Sequence, residues 1–237
     1  MRVRASWAVA MLAVSLAVTP CFAQAARTFV SSNGSDGNDC SRQAPCRSFA
    51  TAITKTAAGG EINTLDPGGY GPVTITKSIA IVGEGSLAGV LATAGNDAIT
   101  INAGASDTVV LRGLTIEGAG IGANGIVFNS GGQLSIADCV VQGFVGNATP
   151  GGNGVLLQPS SGSSTITITN TTASDNAFAG IFYYPATGGA AAQIAIERAT
   201  LSNDVYGIYI DGSQSSGKVS AWIANSSIDH ARDNGII

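Results

Sequence analysis

Hydrophobic residues recur along this chain in short alternating runs, which are typical of strands rather than helices. Five times a glycine is followed by an aliphatic residue and a β-prone run, and these glycines are 29, 26, 27 and 28 residues apart. That period is too long for a hairpin and too short for a domain, and it suits one coil of a solenoid. The five runs are Gly125–Phe128, Gly154–Leu157, Gly180–Tyr183, Gly207–Ile210 and Gly235–Ile237.

Each repeat contains two further elements, so we expect three short strands per coil with side chains alternating in and out. The second run is Leu134–Ile136, Ile166–Ile168, Ile194–Ile196 and Ala221–Ile223. A turn position follows at Asp138, Asn170, Arg198 and Asn225. We interpret these residues as a structural ladder, in which side chains of successive coils stack at the turn. A third inward position comes at Val141, Ala173, Leu201 and Ile228. Earlier segments fit more loosely, and the pattern predicts about six or seven coils in all, with those after the first in residues 73–237.

The beginning of the chain has the order of a secretory signal peptide, residues 1–25. Arg2 and Arg4 give a positive start, and an apolar run over 7–18 is followed by small residues. We expect cleavage after Ala23 or Ala25. The run is too short to span a bilayer, so the sequence predicts a secreted or periplasmic protein without membrane insertion.

Residues 26–72 are predicted to form an N-terminal cap and the first coil. They contain the one stretch that favours a helix, residues 48–58, where Ser48 is a suitable N-cap and Gly59–Gly60 a stop signal. Cys40 and Cys46 lie in this turn-rich cap, and the oxidising destination predicts a disulfide between them. The alternative is two free thiols, while a metal site is disfavoured because no histidine lies near. Cys139 is expected to be a small, unreactive residue in or near the core.

Together with the repeats, the N-terminal block resembles the opening of secreted right-handed parallel β-helix proteins of the pectate-lyase-like superfamily. The segments that carry the resemblance are Phe29–Gly37, Ala44–Phe49, Gly59–Ile62 and Asp66–Tyr70. The resemblance implies an all-β, single-stranded, right-handed parallel β-helix whose first coil is closed by a short capping helix. It does not specify an activity, because this superfamily includes lyases, hydrolases, epimerases and adhesins.

Charge narrows the range of partners. Without Arg2 and Arg4 the chain has 9 basic and 15 acidic residues, a net charge of −6. Phosphate backbones and anionic membranes need a basic face, so nucleic acid is disfavoured as a partner. An acidic polysaccharide would need a cation to bridge it to the protein.

Motifs for glycoside hydrolysis are missing. Polygalacturonases of similar fold contain Asn-Thr-Asp, Asp-Asp, His-Gly and Arg-Ile-Lys, and none of these strings occurs here. The Asp-Pro-His-Asp motif of alginate epimerases is also missing, since Gly68 follows Asp66-Pro67. A lyase needs an acidic calcium cluster and an Arg or Lys base beside it, which is a looser requirement.

One corner of the predicted coil gathers both acids and bases, namely Asp175, Asp204, Asp229, His230, Arg232 and Asp233. As a catalytic site, it would hold Ca²⁺ at Asp175, Asp204 and Asp233. Arg232 or His230 would then take a proton, with Asp229 beside them. The alternative is that Asp and Asn simply make the turns between strands, as they do in most loops.

An apolar stripe is expected on one outer face of the coils, formed by Val127, Leu156, Phe182, Tyr209 and Ile237. Trp222 should point outward on the next face. Sugar rings and protein partners both bind such aromatic surfaces, which makes Phe182, Tyr209 and Trp222 candidate binding residues. The alternative is that long corner loops fold over the stripe.

Two functional hypotheses remain open. The first is a non-catalytic scaffold, without a cofactor, that binds a polysaccharide or a surface glycan. The second is a polysaccharide lyase acting on a uronate-containing polymer, with Ca²⁺ as cofactor. The chain stops at Ile237, two residues into an expected strand, which predicts a fragment or an open end through which molecules associate.

Overall fold

The computed structural model describes residues 24–83, 87–146 and 150–237. The predicted signal peptide lies outside the described residues, except for Gln24 and Ala25. No helix formed by the described residues has the length and apolarity that a bilayer crossing requires.

One short helix and 22 strands follow one another along the described chain. In chain order they are β1 (Ala25–Val30), α1 (Phe49–Lys55), β2 (Thr56–Thr64), β3 (Gly68–Gly69), β4 (Val73–Ile75), β5 (Ile79–Val82), β6 (Ala88–Leu91), β7 (Ile99–Asn102), β8 (Thr108–Arg112), β9 (Leu114–Glu117), β10 (Asn124–Ser130), β11 (Gln133–Ala137), β12 (Val140–Gln142), β13 (Asn153–Leu157), β14 (Ser163–Thr169), β15 (Thr172–Ser174), β16 (Ala179–Tyr183), β17 (Ala191–Glu197), β18 (Thr200–Ser202), β19 (Tyr206–Ile210), β20 (Val219–Ala224), β21 (Ser227–Asp229) and β22 (Asn234–Ile236).

These strands form three parallel sheets that together make a β-solenoid. Sheet 1 has the order β1-β2-β5-β8-β11-β14-β17-β20, sheet 2 the order β3-β6-β9-β12-β15-β18-β21, and sheet 3 the order β4-β7-β10-β13-β16-β19-β22. The predicted all-β parallel fold is therefore confirmed. There are about eight turns instead of the expected six or seven, because the first coils pair without the glycine-aliphatic signature.

The core consists of straight columns of aliphatic side chains. In sheet 3, Ile126 pairs with Val155, Val155 with Ile181, and Ile181 with Ile208. All four side chains are buried. In-register parallel pairing places each residue about 4.8 Å from its equivalent in the next coil. The predicted interior column is thus confirmed.

The corner between sheets 1 and 2 also repeats from coil to coil. Asp138, Asn170, Arg198 and Asn225 all have positive φ, between 47° and 55°. Asp and Asn adopt this left-handed conformation more readily than other non-glycine residues, because their side chains bond locally. The Asn170 side-chain amide donates to Oδ1 of Asp138 at 2.6 Å, as the predicted ladder requires.

The capping helix is shorter than predicted. It begins as expected, with the Ser48 hydroxyl accepting a hydrogen bond from the Thr51 amide at 3.2 Å. It ends at Lys55 instead of residue 58, because Thr56 is already extended and opens β2. Gly60 therefore lies inside a strand, where a Cβ would come within 2.7 Å of the Ala26 carbonyl oxygen. The need to pair with β1 overrides the local helix preference.

The predicted disulfide between Cys40 and Cys46 is present, and both residues are fully buried beneath the cap. Cys139 is a buried free thiol, and burial raises its pKa to about 11. A thiol with so high a pKa is unreactive near neutral pH.

Candidate functional site

The predicted apolar stripe is covered over most of its length, whereas Ile237 at its end is 52% exposed. Val127, Leu156 and Phe182 on the outer face of sheet 3 are at most 5% exposed. Phe178 and Tyr184 pack against them from neighbouring segments. The alternative of a covered stripe is therefore the better description, with aromatic side chains providing much of the cover.

Phe182 cannot offer a face to a sugar. Its ring is stacked between Tyr184 and Tyr209, with centroid distances of 5.3 and 4.9 Å. Phe178 contacts the rings of Phe182 and Tyr209 at an angle. Tyr209 is half-buried in this cluster, so both residues contribute to packing of the outer face.

The edge that was predicted to be catalytic is a shallow hollow of about 680 Å³, lined among others by Asp175, Asn203, His230 and Arg232. His230 Nδ1 lies 3.1 Å from Oδ2 of Asp229, and both side chains are largely exposed. Asp175, Asn203 and His230 all have positive φ, which identifies them as turn residues of successive coils.

Arg232 spans this edge. One of its guanidinium nitrogens, Nη2, donates to the carbonyl oxygens of Asn176 at 3.0 Å and Ala177 at 3.4 Å. These bonds tie the segment after β21 to an earlier coil. They satisfy some of the hydrogen-bond donors of the guanidinium. Arg232 therefore has a structural role, in which it links two coils.

Asp204 is inside the solenoid and not on its edge. Its side chain is 1% exposed, and Oδ1 accepts hydrogen bonds from the main-chain and side-chain amides of Asn176. Oδ2 has no hydrogen-bond partner and packs where a Cβ on Gly180 would lie, 2.7 Å away. Burial is the main cause that raises the pKa of Asp204 to about 7, with Asp175 adding to it and Arg232 opposing it.

The predicted calcium ligands do not converge. Asp204 is buried, while Asp175 and Asp233 are exposed, and a hydrogen bond to Asp233 raises the pKa of Tyr206. Within the described ranges, no three His, Cys, Asp or Glu side chains are grouped to hold a metal ion. The described structure therefore gives no support to a calcium site at Asp175, Asp204 and Asp233, because Asp204 points inward while the other two are exposed.

Trp222 is the candidate that the structure leaves open to solvent. It lies on β20, on the outer face of sheet 1, and is 56% exposed. A shallow hollow of about 510 Å³ extends from it across β14 and β17. Other large apolar side chains, such as Leu87 and Leu91, are also exposed, so the hydroxyl- and amide-lined hollow beside Trp222 is what distinguishes it.

Two straight columns of outward side chains form the floor of this hollow. The first is Thr167, Ala195 and Trp222, and the second is Thr165, Gln193 and Ser220. Lys218 stands at the margin, just before β20. We call the residues of the two columns, together with Lys218, the Trp222 face.

The polar members of the Trp222 face were not singled out from the sequence. Thr165, Gln193 and Ser220 are ordinary residues for the solvent side of a strand. Aligning them with Trp222 by the coil period would have placed them beside it, since the strand register follows that period.

No protein-family model, no curated protein and no solved structure matches this chain.

Proposed function

We propose that the chain is an exported, non-catalytic glycan-binding β-solenoid of the pectate-lyase-like type, which holds a polysaccharide on the Trp222 face. The observation that carries the proposal is the exposed indole of Trp222 beside a shallow hollow lined by hydroxyl and amide side chains. An indole supplies apolar area at little entropic cost, and its N–H remains available for a hydrogen bond. Sugar rings combine an apolar face with a polar rim and complement such a surface.

The rigidity of the face supports the proposal. Its side chains stand on β14, β17 and β20, which are joined in register by parallel pairing. Binding to a rigid surface loses less conformational freedom than binding to a loop. The proposal involves no cofactor.

Catalysis receives less support from the arrangement. The guanidinium of Arg232 is engaged by two main-chain carbonyls, and the Asp204 carboxylate lies inside the solenoid, enclosed by the chain. Export is supported by the Cys40–Cys46 disulfide, because such bonds persist in oxidising compartments.

Replacing Trp222 with Ala is expected to weaken glycan retention at least about tenfold, as truncation of a central aromatic anchor commonly does. The measurement is affinity electrophoresis through a panel of neutral and uronate polysaccharides. Leu91→Ala is the matched control, since Leu91 is 52% exposed on sheet 2, away from the Trp222 face. Both variants should unfold at the wild-type temperature. Equal retention of wild type and Trp222→Ala on every polymer would refute the proposal.

A further inference from the structure

We infer that the glycan held by the Trp222 face is uncharged and extends along the solenoid axis over β20, β17 and β14. This inference rests on the proposed function and specifies its ligand class. It comes from the charges that surround the hollow and from the register of the three strands.

The hollow offers hydrogen bonds but little charge. Its polar lining consists of Ser163, Thr165, Thr167, Gln193, Ser220 and Lys218. Among the described residues that line it, Lys218 alone carries a charge. Hydroxyl and amide groups both donate and accept, which matches the hydroxyls of a neutral sugar.

The surroundings disfavour a polymer that carries a carboxylate on each sugar. Glu197 lies at the far end of β17, and the guanidinium of Arg198 is already 2.5 Å from its Oε1. A polyuronate along the face would therefore meet Lys218 and the Glu197–Arg198 pair, which is one net positive charge for several sugar carboxylates, in a protein of net negative charge. Like charges in an interface oppose binding, whereas a neutral chain avoids that cost.

The register gives the direction of the glycan. Thr167, Ala195 and Trp222 are directly paired, so they form a line along the axis with steps of about 4.8 Å. Ala195 is small and leaves the space beside the indole open. A sugar stacked on Trp222 would then continue over Ala195 toward Thr167, with Gln193 alongside. The hollow accommodates a short oligosaccharide rather than a single sugar.

Isothermal titration calorimetry of the full chain tests this inference. The probes are neutral β-linked hexose oligosaccharides of one to four sugars and galacturonate oligomers of the same lengths. We expect the neutral tetramer to bind at least about tenfold more tightly than the monomer, with little change between low and high salt, because no ion pair is involved. Gln193→Ala should weaken binding about fivefold, the worth of one hydrogen bond.

The control is a variant outside the hollow, in the column of Gln193. Gln133→Ala, in the same column but on β11 beyond the hollow, should have no effect.

The outcomes separate the two proposals. Galacturonate oligomers that bind more tightly than neutral ones, through Trp222 and Lys218, would overturn the neutral-glycan inference and leave the proposed function intact. Equal affinity for monomer and tetramer would overturn the axial arrangement. Absence of binding by every oligosaccharide and polysaccharide, or binding unaffected by Trp222→Ala, would overturn both.

Discussion

Asp204→Asn is expected to raise the free energy of unfolding at pH 8 by as much as about 4 kcal/mol, and to change it little at pH 4. The wild-type carboxyl is buried, Oδ2 lacks a partner, and its pKa is raised to about 7. An asparagine keeps the oxygen that accepts from Asn176 and has no proton to lose.

The sign of the pH dependence follows from the raised pKa. In the unfolded chain the Asp204 carboxyl ionises near its ordinary value of 3.8, whereas the folded chain retains the proton up to about pH 7. The stability that protonated Asp204 contributes is therefore complete below about pH 4 and is lost as the pH rises to about 7. Above pH 7 the folded protein holds an ionised carboxylate that only Asn176 and the more distant Arg232 stabilise.

Chemical denaturation of both proteins between pH 4 and pH 8 measures this effect, because the difference between them cancels the other titrating groups. Asp229→Asn is the matched control on the exposed side of the same edge, and it should change the stability by less than about 0.5 kcal/mol. A difference between Asp204→Asn and wild type that stays constant over this pH range would contradict the buried position of Asp204.

Ile168→Ala is expected to lower the free energy of unfolding by about 2–5 kcal/mol, the usual cost of truncating a buried aliphatic side chain. Ile168 is fully buried and lies in a column between Ile136 and Ile196. Removing its side chain leaves a cavity that both neighbouring coils border, and straight strands cannot easily collapse into it.

Thr167→Ala provides the comparison for Ile168→Ala, since the two residues are adjacent on β14 and point to opposite sides. Thr167 is on the Trp222 face, so its truncation should change stability by no more than about 0.5 kcal/mol. Urea denaturation of the two variants gives the comparison. Similar losses for both would mean that β14 does not alternate between core and solvent.

The repeat pattern is sufficient to predict the coil and its interior. Burial of Ile126, Val155, Ile181 and Ile208 follows from a period near 28 residues combined with strand alternation. Alternation also predicts that Trp222 points outward, and its neighbours on β14 and β17 are too small to cover it. These features depend on local periodicity, which a single sequence contains.

The covering of Phe182 could not be read from periodicity. Phe178 and Tyr184 close over it from outside β16, and their positions depend on how the corners bend. A sequence pattern assigns a residue to the outer face of a sheet, but it does not say whether another segment lies upon that face.

Asp204 shows a second limit of the sequence pattern. At each turn, the left-handed residue is followed at once by one that points inward, as Asn203 is followed by Asp204. Asn176 takes the same inward position one coil earlier. Both residue types are also common in exposed turns, so stacking of the turn segments predicts an acidic cluster there without distinguishing inward from outward carboxylates.

The stacking of coils in register is the claim on which the core, the buried carboxyl and the Trp222 face all depend. Spin labels on cysteines introduced at Ala80 and Ala195 lie in one outer column, four strand spacings apart, and labels at Glu61 and Ala195 lie five apart. Cys139 should not take the label, because it is buried with a raised thiol pKa.

Pulsed electron–electron double resonance measures the distance between the two labels in each pair and so tests the register directly. The structure predicts Cα distances of about 19 Å for the first pair and about 24 Å for the second, so that one added coil adds one strand spacing. Two distances that do not differ by about one spacing, or that both greatly exceed these values, would show that the coils are not stacked in this order.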